Sequence, residues 1–216
     1  MIANRRLIVL TLVGLVIAMA LPPLGLGRMI APGDDLGSML FREGVFWAIL
    51  AALLAYVLFI ERRPLTSLGF RRPRVSALVW GVAAGILLVA VYVLVAALVI
   101  PALHLKSNAH ALQSLIATPL WFRFLLVTRA AVTEEILYRA YPIERLELLT
   151  RSRAFAAGVS VVGFTLAHLN YWGPVQLLFV GPAAVILAGL YLWRRDIWCN
   201  MLAHFITDGV GFLGAH

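Results

Sequence analysis

Seven apolar runs set the terms on which this chain can fold. They fall at roughly 7–25, 44–60, 75–100, 119–141, 154–169, 174–193 and 197–214, and each is close to the ~20 residues a helix needs to cross hydrocarbon. Composition agrees: 62% of 216 residues are hydrophobic and 13% are charged, with a mean hydropathy of +0.95. A soluble domain of this length would need far more polar surface. The sequence therefore predicts an all-α, polytopic transmembrane bundle of about seven spanning helices. It reads as one integral membrane domain over 1–216, since the spans and their short connections use the whole length.

The connections carry clusters such as Pro22-Pro23, Arg62-Arg63-Pro64 and Tyr171-Trp172-Gly173-Pro174, which mark turns. A formal net charge of +8 could suggest nucleic acid, but the arginines sit in short groups between apolar runs and not along one face or tail, so no nucleic-acid partner is expected. Topology accounts for them instead. Arg5 and Arg6 precede the first run. Arg28 and Arg42 in the next connection are offset by Asp34, Asp35 and Glu43, while the third is basic with Arg62, Arg63, Arg71, Arg72 and Arg74. Onward, 101–118 carries only Lys106, 142–153 carries Arg145, Arg151 and Arg153, and Arg194-Arg195 precedes the last run. The positive-inside rule then places the N-terminus in the cytoplasm and the C-terminus outside, in an inner or plasma membrane. Trp47, Trp80, Trp121, Trp172, Trp193 and Trp198 all fall near run ends, where indole rings settle at headgroup level.

Arg5-Arg6, the apolar stretch to Met19 and Ala18-Met19-Ala20 resemble a secretory signal with a small-residue cleavage site. Pro22 and Pro23 with the apolar Leu24–Leu26 favour an uncleaved first helix ending near Leu21. Cys199, the single cysteine, reads as packing.

An ionisable side chain at mid-membrane costs about 2.5–3.5 kcal/mol on insertion scales, so each one retained there points to function. Five stand out: Glu134, Glu135, His168, His204 and Asp208. In Thr133-Glu134-Glu135-Ile136-Leu137-Tyr138-Arg139, Glu135 and Arg139 are four apart and can pair on one helix face. Glu134 points about 100° away, which makes it the candidate reactive carboxylate. His204 and Asp208 share a face at the same spacing, as do Phe164 and His168. A hairpin turning near residue 148 sets Glu134 level with about 162, leaving His168 about 9 Å off that level, a gap for tilt or a shifted helix end to close.

In order along the chain these are E-E-x-x-x-R at 134–139, F-x-x-x-H at 164–168 and H-x-x-x-D at 204–208. Together they resemble the three motifs of the CAAX prenyl protease and bacteriocin-processing family of intramembrane peptidases. The similarity extends to Ser67-Leu68-Gly69-Phe70 and Ile197-Trp198 and covers about 65–210. It implies a helical membrane endopeptidase with a water-filled cavity, acting on a membrane-associated peptide or protein, in which Glu134 and His168 activate water. The third motif's histidine and a following asparagine hold the oxyanion in the prenyl proteases, which would give that role to His204 and position 208. Here 208 is Asp, and an ionised carboxylate has no hydrogen to donate.

The residues read alone allow a compatible chemistry, since peptide hydrolysis needs a base for water and donors for the tetrahedral intermediate. Glu134, His168, His204 and Asp208 are also acceptable ligands for a divalent metal such as zinc, which would acidify its bound water. Their spacing is not the H-E-x-x-H of zincins, and both mechanisms stay open at this point. Glu135 and Arg139 read as a supporting ion pair and Phe164 as an aromatic shaping the cavity. Arg129, five residues before Glu134, has three readings: it neutralises a buried carboxylate, binds a substrate carboxylate, or marks a later helix start. His104, His110 and His216 receive no role. Two other functions fit the same residues: a proton-coupled transporter, or a non-catalytic scaffold or immunity factor of the same fold.

Overall fold

A computed structural model describes residues 5–105 and 109–214. Lys106 and His216, and the side chain of His110, lie outside the described residues. The described residues are mostly helical, with no strand among them. α1 is Arg5–Ala20, bent by 42° into the following Pro22–Ile30, whose last part is α2, Leu26–Ile30. Then come α3 (Leu36–Ile60), α4 (Val75–Ala102), α5 (Ala109–Ile116) and α6 (120–150). α7 (Arg153–Ala167), α8 (Leu169–Trp172), α9 (Pro174–Arg194) and α10 (Ile197–Leu213) complete the order. α1, α3, α4, α6, α7, α9 and α10 each overlie one apolar run.

Three of these, α3, α4 and α9, are long and apolar enough to cross a membrane, or four if the bent α1 pair is one span. α7 is apolar but has 15 residues and α10 has 17. α6 is interrupted by Arg123, Arg129, Glu134, Glu135 and Arg139. Large apolar side chains lie exposed along the outer helices, for example Ile86 and Leu98 on α4 and Val185 on α9, while Arg129, Glu135, Arg139, Asn200 and His204 are buried. Apolar outside and ionisable inside is the arrangement of a bundle whose solvent is lipid.

Two boundaries differ from the expectation, with consequences for the site. α3 begins at Leu36 and not at 44, because Asp35 caps it by accepting from the Ser38 N–H at 3.0 Å. Arg42 and Glu43, which read as connection, are helical and satisfied internally; Arg42 donates to the carbonyls of Ala31 and Gly33 at 3.0 and 2.6 Å. Trp47 consequently sits in the body of α3 and not at its end. Likewise α6 runs to Thr150, and the hairpin into α7 turns at Arg151 in a left-handed conformation (φ 58°), with Ser152 capping α7. Moving the turn from 148 to 151 shifts the residue level with Glu134 from about 162 to about 168, which removes the ~9 Å gap.

α4 and α10 form the most extensive helix pair. Gly81 and Gly85, one turn apart on α4, allow it: a Cβ on Gly81 would lie 3.0 Å from the Cys199 carbonyl oxygen, and one on Gly85 2.9 Å from Ile206. Small residues at this spacing let helix backbones approach in lipid. The start of α10 is fixed by the stretch before α4. The Ile197 N–H donates to the Gly69 carbonyl at 3.1 Å, Trp198 Nε1 to the Arg71 carbonyl at 2.9 Å, and Phe70 meets Trp198 edge to face.

Candidate active site

α6 brings Glu134 and Glu135 to the centre of the bundle just where its winding loosens into a π-helical turn at Glu135–Ala140, a distortion that recurs at functional sites. Ser160 of α7 donates its hydroxyl to the Tyr138 carbonyl within that turn. The two adjacent carboxylates face different helices and have different company.

Glu135 is fully buried. Its Oε1 lies 3.2 Å from Arg139 Nη1 and 2.8 Å from His204 Nδ1. The other oxygen accepts from Asn200 Nδ2 at 3.0 Å, and Asn200 also donates to the Leu187 carbonyl at 2.8 Å. The expected ion pair with Arg139 is present, and α9 and α10 are tied to it. Phe164 lies under the Arg139 guanidinium at 3.6 Å, against Tyr138 at 5.4 Å and against the His168 and His204 rings at 4.5 and 6.2 Å. It forms one wall of the site.

Glu134 is less completely enclosed, with 15% of its side chain exposed. Its Oε2 lies 3.8 Å from His168 Nε2 and 4.0 Å from His204 Nε2. His168 ends α7 and donates Nδ1–H to the Phe164 carbonyl at 2.8 Å, because a carbonyl can only accept; Nε2 is the ring nitrogen that faces Glu134. By the same logic the Glu135 carboxylate fixes a hydrogen on His204 Nδ1. His204 Nε2 turns to Asp208 Oδ2 at 3.4 Å as well as to Glu134. Glu134, His168, His204 and Asp208, the four candidate catalytic residues, thus meet around one small volume fed by α6, α7 and α10.

Three residues that sequence reasoning did not assign belong to this constellation. Asn200 precedes His204 by four residues, so Asn200, His204 and Asp208 form one polar stripe on α10, a signal that was readable. Glu43 of α3 had no such signal, sitting beside Arg42 at the edge of an apolar run. Arg129 answers the question its position raised. Its Nε and Nη2 contact Glu43 at 2.7 and 3.2 Å, its Nη1 contacts Glu134 Oε1 at 2.9 Å, and Phe46 lies 4.3 Å from the guanidinium. Glu134 is consequently ion-paired through one oxygen while the other faces the histidines of two other helices.

Residues 116–210 match the family model described as type II CAAX prenyl endopeptidase Rce1-like. Over that segment the chain is similar to the Rce1-like family. The Rce1-like segment covers α6 to α9 and most of α10, the helices that carry Glu134, His168, His204 and Asp208, and it agrees with the family that the three motifs resemble. Ser67–Phe70, the further point of resemblance, lies outside it. Neither the curated proteins nor the solved structures gave a match. The match over this segment and the several apolar helices together indicate an integral membrane protein.

Among the described residues, no group of three or more His, Cys, Asp or Glu side chains is arranged to hold a metal ion. Two ligands of a tetrahedral zinc lie about 3.4 Å apart, given bonds of about 2.0–2.2 Å. Glu134 Oε2 is 3.8 and 4.0 Å from its two imidazole neighbours. Those separations suit groups that share one water, each about 2.8 Å from its oxygen. The Glu134, His168, His204 and Asp208 set does not fit a zinc ion as it stands.

Proposed function

We propose that the chain is an intramembrane endopeptidase that hydrolyses a peptide bond of a membrane-associated protein or peptide with water activated by Glu134 and His168. One observation carries the reading: Glu134 Oε2 is within 4.0 Å of an imidazole Nε2 from each of two other helices. A water in that gap donates one hydrogen toward Glu134 and the other toward the His168 lone pair. As its oxygen attacks the carbonyl carbon, Glu134 takes the proton. His204 Nε2–H then meets the developing oxyanion; carboxylates beside both of its nitrogens, Glu135 and Asp208, complement an imidazolium. Collapse breaks the C–N bond, and the proton on Glu134 passes to the leaving nitrogen. Asp208 orients His204 and does not itself donate.

The same proposal takes α1, α3, α4, α6, α7, α9 and α10 as seven spans, with the N-terminus cytoplasmic and the C-terminus outside. Support comes from the alternation of arginine-rich and arginine-poor connections. The similarity of residues 116–210 to the Rce1-like family supports a peptidase over a transporter or a scaffold.

The test is cleavage of membrane-anchored peptides, prenylated and unprenylated, by the purified protein in liposomes, with and without chelator. Cleavage that survives chelation and disappears in Glu134→Gln and His168→Ala is expected. Solute uptake without proteolysis would overturn the reading.

A further inference from the structure

We infer that Arg129 and Glu43 are positioning residues which divide the two oxygens of Glu134, holding Oε1 so that Oε2 alone faces the histidines. This rests on the peptidase reading above. Arg129 and Glu43 side chains are each only 8% exposed, so neither is a solvated surface charge. Glu43 grips Arg129 along one edge, through Nε and Nη2 at 2.7 and 3.2 Å. That two-point grip fixes the plane of the guanidinium, and Phe46, one turn further along α3, lies 4.3 Å from it. Nη1 is the nitrogen left to reach Glu134, and it does so at 2.9 Å on Oε1.

The charge balance explains why both residues are needed. Glu43, Arg129 and Glu134 together are one positive charge between two negative ones. Without Glu43, nothing restrains Arg129 from swinging onto Glu134 and gripping both its oxygens, the geometry that guanidinium and carboxylate prefer. Oε2 would then leave the 3.8 and 4.0 Å separations it keeps from His168 and His204. Without Arg129, Glu134 loses its anchor and Glu43 its partner. Displacements on the order of 1 Å in such a constellation can cost about 100-fold in rate.

Turnover per folded molecule is to be measured for the full chain in liposomes at saturating substrate. Glu43→Gln and Arg129→Met should each lower kcat by about tenfold or more with KM within about twofold of the parent chain. The double variant should fall no further than Arg129→Met, because Glu43 acts through Arg129. Arg129→Lys, which keeps the charge but not the two-point geometry, should recover part of the loss. An unchanged kcat in Glu43→Gln, or losses that multiply in the double variant, would overturn the inference. Cleavage abolished in Glu134→Gln but intact in Glu43→Gln would leave the peptidase reading standing and remove this one.

Should Glu43→Gln not fold, Glu43→Asp keeps the charge and retracts it by one methylene; it and Arg129→Lys should both show reduced kcat at constant KM, and parental kcat in both sinks the idea. If the parent chain cleaves nothing, the peptidase reading fails on its own. The positioning claim is then decided by a structure of Glu43→Gln, in which Glu134 Oε2 should have left its place beside His168; unchanged separations reject it.

Discussion

Arg129 and Glu134, five residues apart on α6, meet at 2.9 Å through Nη1 and Oε1, although helical geometry turns positions five apart roughly 140° from each other. The long arginine side chain covers that angle because Glu43 draws the guanidinium inward from α3. The carboxylate best placed to act on water is therefore anchored on one oxygen and open on the other.

The open oxygen gives the plainest prediction. Glu134→Gln keeps the shape of the side chain and removes its capacity to take a proton, while Arg129 retains Glu43 as a buried partner. Peptide cleavage should fall by about 10²–10⁴-fold with the thermal transition in detergent little changed. Measuring both on one preparation separates a lost base from a lost fold.

Asp208 can be tested against the asparagine that the prenyl proteases carry. Its Oδ2 lies 3.4 Å from His204 Nε2, a contact that an asparagine carbonyl oxygen would keep while its amide gains a hydrogen to donate. Asp208→Asn should stay within about tenfold of the parent rate, and Asp208→Ala should lose about 10²-fold, the scale of misplacing a catalytic group such as His204. A parental rate in Asp208→Ala would show that His204 does not need a partner at Nε2, and equal large losses in the two variants would show that the charge of Asp208 matters and not the contact alone.

Much of this was legible before any coordinates. Glu134, His168, His204 and Asp208 stand out because ionisable residues in apolar runs are costly, and the i, i+4 rule paired Glu135 with Arg139 and His204 with Asp208. The boundaries of α3 and α6 were less legible, for one reason: charged residues near a run end read as connection, yet Arg42, Glu43 and Arg145 are satisfied inside the protein. Arg145 of α6 reaches Glu61 at 2.8 Å and Ser67. Long-range partners of this kind, 86 positions apart for Arg129 and Glu43, leave no periodic trace in a single sequence.

Glu135 should matter through stability before it matters through chemistry. It alone among the described residues ion-pairs with Arg139, which is fully buried, and it also holds Asn200 and His204. Glu135→Ala would strand a buried guanidinium, a change that costs about 3–5 kcal/mol in comparable pairs. Thermal denaturation in detergent should show a large drop. Recovery in Glu135→Ala/Arg139→Met, measured on the same scale, should exceed what either single change predicts.

At the α6–α7 turn, acid should loosen a second ion cluster. Burial acts to raise the Glu147 carboxyl, but hydrogen bonds from Arg195 and Arg153 outweigh it and hold the group below the ordinary glutamate value of 4.5. A depressed folded value means the stabilisation is present above pH 4.5 and is lost as pH falls through the lower folded value. Glu147→Gln should flatten the acid limb of a stability profile below pH 4.5, and high salt should weaken the difference because Arg153 is largely exposed.

Packing between α4 and α10 sets the position of His204 and Asp208 from the opposite side, so the site should be sensitive to a residue that touches none of its polar groups. Gly85 approaches Ile206 so closely that a Cβ would lie 2.9 Å from it, and Ile206 sits between the two site residues in the sequence. Gly85→Ala asks for a small shift and Gly85→Leu for a large one. Overpacking of this kind costs about 1–3 kcal/mol or more, and any part relieved by moving α10 carries His204 away from Glu134. Cleavage should therefore decline in the order glycine, alanine, leucine, and decline further than stability does. If Gly85→Leu folds and cleaves at the parental rate, the close approach of α4 does not position the site.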